Sequence, residues 1–285
     1  MKRLDRRALF ATGAAAALLA ATGASLADQP RRGGTLRLAL PRDGDLLSRV
    51  ARAAVCDQLT EVAPDGILRG ELATGWQSDD TASLWRFELR EDAVFHDGTP
   101  LSGADVVASL DAHLSKGLHA LGAVRDLHLD EAGAVIFALD DSNPHLPYRL
   151  ADAGLIIAKE GAVDAELGAL IGSGLYQADR AQEGRHFRAR RMETHLRDGK
   201  SGWFEALDLI VIPDANVRAE ALREGYVDVA ALPAAAGLSG RGSFHYHPSE
   251  GDMALAAAPH VVLPARISTR APLDDHRIAE RWWMA

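Results

Sequence analysis

Residues 83–90, Ser-Leu-Trp-Arg-Phe-Glu-Leu-Arg, alternate without a break: Trp85, Phe87 and Leu89 point one way, Leu84, Arg86, Glu88 and Arg90 the other. Only a strand with one buried face needs a period of two. The pattern then changes. Asp97-Gly98-Thr99-Pro100 has turn chemistry, with glycine available for a positive backbone dihedral. Ser102 follows as a helix cap, with Asp105 in the capping-box position and Val106, Val107 and Leu110 as an apolar stripe running to about Leu114. A strand must therefore turn and hand over to a capped helix, so the chain contains neither a pure bundle nor a pure sandwich.

The flanking sequence extends that mixture. Thr35–Leu40, Val124–Leu129, Ala134–Leu139, Leu155–Ala158, Leu175–Asp179, His186–Met192, Leu207–Ile212 and Val227–Leu232 read as strands, with Leu207–Ile212 central. Leu46–Cys56, Leu146–Ala153, Asn216–Glu224 and Asp274–Ala285 have helical spacing, and Gly225 stops the third of these. Pro64-Asp65-Gly66 is a tight turn between two extended stretches, and residues 234–251 read as mostly loop. Strands and helices are interleaved without a regular βαβ rhythm. The expected fold class is an α/β domain on a mixed sheet, with no internal repeat.

Residues 1–27 stand outside that fold. Arg6-Arg7 precede an alanine-rich apolar run that ends in Ser25-Leu26-Ala27, the layout of a cleaved export signal of the twin-arginine type. Gly13, Thr22, Gly23 and Ser25 interrupt the run, which makes it a poor membrane span, and no later apolar stretch is long enough to cross a bilayer. Cleavage leaves 258 of 285 residues and, with Lys2, Arg3, Arg6 and Arg7 removed against Asp5, lowers the formal charge from −9 to −12. So acidic a chain argues against nucleic acid as a partner, because phosphate contacts need clustered lysine and arginine. The sole cysteine, Cys56, admits no internal disulfide, and its spacing suits a small buried side chain on a helix.

Candidate chemistry is thin. Gly172-Ser173-Gly174 lacks the Lys-Ser/Thr that would make it a phosphate loop, and Ser173 lacks a nucleophile elbow. His96-Asp97 fits a turn better than a catalytic pair, and Asp79-Asp80 and Asp140-Asp141 sit where short carboxylates cap their own backbone. Among the eleven histidines, His245 and His247 would share one face of a strand and could act as metal ligands, but no cysteine or compact carboxylate cluster accompanies them, and a solvated loop is the simpler reading. No metal, cofactor or enzyme activity is expected. Trp85 belongs to the core, whereas Trp203, after the Gly199–Gly202 turn, is the best aromatic candidate for contact with a solute.

The stretch Trp85–Leu110 resembles the signature region of the family-5 extracellular solute-binding proteins, which serve dipeptide, oligopeptide and nickel importers. Phe95-His96-Asp97-Gly98-Thr99-Pro100-Leu101 matches position by position, and Asp105-Val106-Val107 and Ser109-Leu110 follow, with Gly103-Ala104 in place of the usual Ala-Glu. Gly33-Gly34-Thr35-Leu36, Leu72-Ala73 with Trp76, Ile171–Tyr176 (Leu175 replacing a proline), Asp214-Ala215-Asn216 with Leu222, Gly225 and Asp228, and Ala271–Asp275 with Arg277-Ile278 are similar to further family elements in the family's order. The resemblance implies a lobe of periplasmic binding protein type II over residues 28–265, with residues 266–285 opening a second lobe that is largely absent. It implies a substrate-binding component of an ABC transporter, partnered by a permease, that takes peptides or other small solutes in the periplasm without inserting in the membrane. Ser173 and Tyr176, on the loop matching the family's Gly-Thr-Gly-Pro-Tyr, join Trp203 as ligand-binding candidates. A single-lobe interaction or regulatory protein with no solute of its own, and a nickel or metal-chelate binder, are the alternatives.

Overall fold

A computed structural model describes residues 32–63, 67–117, 121–233, 245–248, 253–258, 260 and 261. The export segment at 1–27, the Pro64-Asp65-Gly66 turn and the helical pattern at Asp274–Ala285 lie outside the described residues.

In chain order the elements begin with β1 (Thr35–Leu40), α1 (Leu46–Val55), β2 (Thr60–Val62), β3 (Leu68–Gly70), β4 (Ala73–Ser78) and β5 (Leu84–Leu89). They continue with α2 (Gly103–Ser115), β6 (Val124–Leu129), β7 (Val135–Leu139), the single turn α3 (Leu146–Arg149), β8 (Tyr176–Gln182) and β9 (His186–Arg191). Last come β10 (Ala206–Val211), α4 (Ala215–Arg223), β11 (Val229–Pro233), β12 (His245–Pro248) and β13 (Met253–Ala257).

A seven-stranded sheet runs β12-β13-β11-β1-β10-β9-β8. β1 pairs in parallel with β10 on one side and β11 on the other, while the outer pairings at β9, β8 and β13 are antiparallel. The sheet is thus mixed, and Leu207–Ile212 is central as its apolar run implies. Alternation decides which core each residue joins. Leu36, Leu38 and Leu40 of β1 face α1 with Leu207, Leu209, Val229 and Ala231, whereas Ala39 faces α4 with Ala230 and Leu232.

A second sheet, β4-β5-β7-β6, packs on α2. The β5 pattern is realised as written: Trp85 and Phe87 are buried, while Leu84 and Glu88 are exposed. Phe87 meets Phe137 edge to face at 5.5 Å between ring centroids, a favourable aromatic geometry. Gly98 has φ of 82°, and its neighbour Asp97 accepts from the Thr99 N–H at 3.1 Å and hydroxyl at 2.7 Å. Ser102 and Asp105 form the reciprocal capping box at the start of α2.

Two expectations are corrected. Leu155–Ala158 is not a strand, although all four residues are buried. Its alternation arises because it runs between two cores: Leu155 and Ile157 belong to the cluster around Phe87, Ile156 and Ala158 to the cluster around β1. Its one backbone bond to another segment runs from the Ile157 N–H to the Asp57 carbonyl at 2.9 Å, and side chains supply others. The Ser109 hydroxyl donates to the Ala158 carbonyl at 3.0 Å and accepts from its N–H at 3.1 Å, and the Ile156 carbonyl lies 2.9 Å from His113 Nε2. Within residues 234–251, read as mostly loop, the described residues His245–Pro248 form a strand paired with Met253–Ala257. The helix expected over Leu146–Ala153 also stops early, at Arg149.

Candidate functional site

Parallel strands β11, β1 and β10 end on the same edge of the sheet, with β10 and β11 flanking β1 on opposite sides. In open α/β sheets such a switch point opens a crevice outside the carboxyl ends of the strands. Three segments form that edge here. After β1, Arg42–Asp45 make an exposed turn in which Gly44 and Asp45 have φ of 83° and 53°. After β10, Asp214 caps α4 by accepting from the Asn216 and Val217 amides at 2.7 and 3.2 Å. The third segment is the end of β11 at Leu232-Pro233.

Arg218 fastens the second and third segments together. It is buried, and its guanidinium donates to the carbonyls of Ala231 (2.6 Å), Ile212 (2.6 Å) and Pro213 (2.8 Å). Burial pulls its pKa below the ordinary arginine value, opposed by the charge of Asp214. The edge therefore presents an exposed turn, a capped helix start and a pair of strand ends tied together by Arg218.

The opposite edge of the sheet carries a cleft of about 260 Å³ lined by Val94, His96, Ser173, Met192, His195 and Asp198, among others. Of the residues singled out in the sequence, Ser173 reaches this cleft. Its hydroxyl is committed to Asp57 Oδ2 at 3.0 Å, and its carbonyl lies 3.0 Å from His195 Nε2. Tyr176 lies in the core, 0% exposed, with its hydroxyl donating to the Phe204 carbonyl at 2.9 Å. It offers a solute no surface and works as a cross-tie. Trp203 is half-buried, and its carbonyl accepts from the Gly33 N–H at 2.8 Å. The segments carrying Tyr176 and Trp203 do meet: a Cβ on Gly202 would stand 1.8 Å from Leu175 Cδ2.

Beneath the cleft lies a charged cluster that the sequence did not announce. Arg197, 7% exposed, reaches Glu61 at 2.6 Å and Glu71 at 2.5 Å, and Asp57 lies close by with His195 Nε2 at 3.8 Å from its Oδ2. Burial raises the Asp57 pKa, but His195 and Arg197 outweigh it and hold the carboxyl well below its usual range. His96 faces the same region and donates from Nε2 to the Gly174 carbonyl at 2.7 Å; burial lowers its pKa, opposed by that bond and by the charge of Asp57. Gly172 and Gly174 permit this assembly. A Cβ on either would lie within 2.8 Å of the Val55 backbone, so only glycine lets the loop press on the end of α1. Cys56, at that end, is buried and its thiol pKa is raised by burial, which makes it inert packing as expected.

Residues 68–246 match the bacterial extracellular solute-binding proteins, family 5 Middle. The chain belongs to that family. Over 179 residues it is 30% identical to the probable D,D-dipeptide-binding periplasmic protein DdpA of Escherichia coli K12, covering 58% of this chain and 34% of that protein. Over 260 residues it is 27% identical to the probable peptide ABC transporter periplasmic-binding protein y4tO of Sinorhizobium fredii NGR234, covering 79% of this chain and 48% of that one. The chain thus spans about half the length, or less, of these curated relatives. Among solved structures it resembles the agropinic acid complex of AgaA from A. tumefaciens R10, with a TM-score of 0.63, 24% identity and coverage of 70% of this chain and 44% of that one. It also resembles DppA of Helicobacter pylori bound to the peptide STSA, with a TM-score of 0.62, 19% identity and coverage of 74% and 49%. The fold is accordingly a mixed-sheet α/β lobe of the type II periplasmic binding kind.

The Phe95–Leu101 run is the turn between β5 and α2, with His96 half-buried against the Gly172–Gly174 loop. The two most recognisable stretches of sequence therefore touch: the His96 N–H donates to the Gly172 carbonyl at 2.9 Å. Among the described residues, no group of three or more His, Cys, Asp and Glu converges as a metal site requires. Nor is any helix among them long and apolar enough to cross a membrane.

Proposed function

We propose that this family-5 protein acts as the periplasmic substrate-binding component of an ABC importer and takes peptides or peptide-like solutes at the carboxyl edge of β11, β1 and β10. The family match over residues 68–246 carries the reading. Curated relatives named as dipeptide- and peptide-binding periplasmic proteins support the solute class. The solute would lie against Arg42–Asp45 and the start of α4, meeting backbone groups that Arg218 holds in place. Of the residues first considered, Ser173 and Trp203 stand with the opposite edge and support the lobe. The protein binds and hands over its solute to a permease without transforming it. Residues 28–265 form the lobe, and Arg6-Arg7 direct export by the twin-arginine route.

Calorimetry against dipeptides, oligopeptides, opines and nickel–histidine chelates tests the binding role. Peptide binding that Asp214→Ala or an Arg42–Asp45 deletion weakens is the expected result. Nickel–histidine binding alone would replace the peptide assignment, and no binding across the panel would overturn the solute-carrying role. Fractionation of cells carrying Arg6→Lys/Arg7→Lys tests the route, with loss of periplasmic protein expected.

A further inference from the structure

The negative charge of the chain is not spread evenly. Residues 59–155, which supply β2 to β7, α2 and α3, hold 17 aspartates and glutamates against six lysines and arginines, a formal −11. The rest of the chain beyond residue 27 comes to −1. Few of the acidic charges are cancelled within the segment. Arg86 is shared between Glu88 and Asp130, Arg90 lies 3.5 Å from Asp92, and Lys116 pairs with Asp164, outside it.

α2 packs on one face of the β4-β5-β7-β6 sheet, and the other face is open. Register and alternation place Leu84 and Glu88 of β5, Ile136 and Ala138 of β7, and Asp126 and His128 of β6 on that open face. Leu84 is 48% exposed, and Glu88, Asp126 and His128 are exposed with it. Beside Leu84 the sheet ends in two acidic stretches. The Leu139 N–H donates to the Ser83 carbonyl at 2.8 Å and the Asn143 N–H to the Ala82 carbonyl at 2.9 Å, which brings 140–142 against 79–83. Asp79 is spent on its own turn, accepting from the Ser83 and Leu84 amides at 2.9 and 3.0 Å. Asp80, Asp140 and Asp141 are exposed and make no side-chain bond or ion pair with the other described residues. Arg125 of β6 is exposed near them, and this end still keeps a surplus of negative charge.

We propose that the open face of this smaller sheet, at its 79–84 and 138–143 end, docks a basic segment of a protein partner. Leu84 supplies the apolar contact, and Asp80, Asp140 and Asp141 supply the counter-charges. The sign of the field turns away nucleic acid and anionic lipid. A second copy has no basic half to offer, since the remainder of the chain is near neutral. An apolar anchor inside a polar rim is the layout of a protein contact, and rim charges of one sign speed encounter with the other. The inference does not depend on which solute the carboxyl edge takes.

Amide shift mapping on the full chain tests the docking face. The probe is a heptapeptide of alternating lysine and leucine, acetylated and amidated so that it lacks the free ends of a peptide solute. It should move amides of 79–84 and 138–143, and added salt should weaken it. Asp80→Asn/Asp140→Asn/Asp141→Asn should weaken binding about tenfold, as the loss of three exposed ion pairs implies. Glu183→Gln/Glu220→Gln/Glu224→Gln removes the same charge from the seven-stranded sheet and α4, and should leave binding within about twofold. Leu84→Ser should erase the preference for the lysine–leucine peptide over a lysine–serine one. Shifts scattered over the surface, or an equal loss in the two triple variants, would mean general attraction to an acidic chain and overturn the proposal. Absence of binding overturns it too. So does self-association that the Asp80/Asp140/Asp141 variant abolishes, which would give the face to a second copy.

Discussion

Replacing Arg197 with methionine removes one guanidinium from between Glu61 and Glu71, which lie 2.6 and 2.5 Å from it in a site where Arg197 is 7% and Glu71 1% exposed. Methionine fills much of the volume, so the change is chiefly one of charge. Two carboxylates are left without their cation, next to a third at Asp57. Breaking a buried pair by removing one partner costs about 3–5 kcal/mol. For a domain of this size each kcal/mol moves the melting temperature by roughly 2–4 °C, so Arg197→Met should melt roughly 6–20 °C lower. Urea denaturation gives the free energy, and a triple variant, Glu61→Gln/Glu71→Gln/Arg197→Met, separates charge from shape. The triple variant should recover most of the loss, because neutral amides are far cheaper to bury than unpaired carboxylates. A single variant that loses less than about 1 kcal/mol would refute the electrostatic reasoning, and a triple variant as unstable as the single one would assign the loss to packing.

Gly98→Val and Gly172→Ala should fail for different reasons. Gly98 has φ of 82° and open space where a side chain would stand, so valine adds only backbone strain, about 1–3 kcal/mol by chemical denaturation. At Gly172 a Cβ would stand 2.1 Å from the Val55 carbonyl oxygen, so even alanine should lower the melting temperature more than Gly98→Val does; the reverse order would contradict the packing of this loop. Asp228 has a depressed pKa: burial raises it, but Arg37, at 2.8 Å, lowers it further. A depressed folded-state value means stability that is present above the unfolded carboxylate value of about 3.9 and lost as the pH falls through the folded one. Asp228→Asn should therefore be less stable than wild type at pH 7, with the gap narrowing below pH ~4 in melts followed across pH; a constant gap would contradict the ion pair.

Local chemistry was legible in the sequence where the partners are near in the chain. The β5 alternation, the Asp97–Pro100 turn and the Ser102–Asp105 box each involve residues within a few positions of one another, and each is built as the pattern implies. Leu155–Ala158 misled because alternation records burial on two sides, and two cores produce the same signature as one sheet. The buried charges were illegible for another reason: Arg197 meets Glu61 136 positions away and Glu71 126 away, and Ser173 meets Asp57 116 away. A lone Glu or Arg between apolar residues looks the same whether it faces water or a buried partner. Acidic residues at 57, 61 and 71 standing beside apolar neighbours such as Cys56, Leu59, Val62 and Leu72 were the only hint.

The position of β1 sets the order of assembly. The first strand of the lobe is the middle of the seven-stranded sheet, and its Arg37 waits for Asp228, 191 positions further along. During synthesis β1 gains neither neighbour until β10 has been made, after the outer β8–β9 hairpin is already complete, so the middle of the sheet closes late. Pairing over such separations is slow, because loop closure must be completed before any contact rewards it. Until then β1 has two bare edges, and a nascent chain stalled before β10 carries an apolar strand with nothing to cover it. Trimming a few residues from the start of the lobe would therefore remove its central strand, whereas losses at β8 or β12 would strip only an edge.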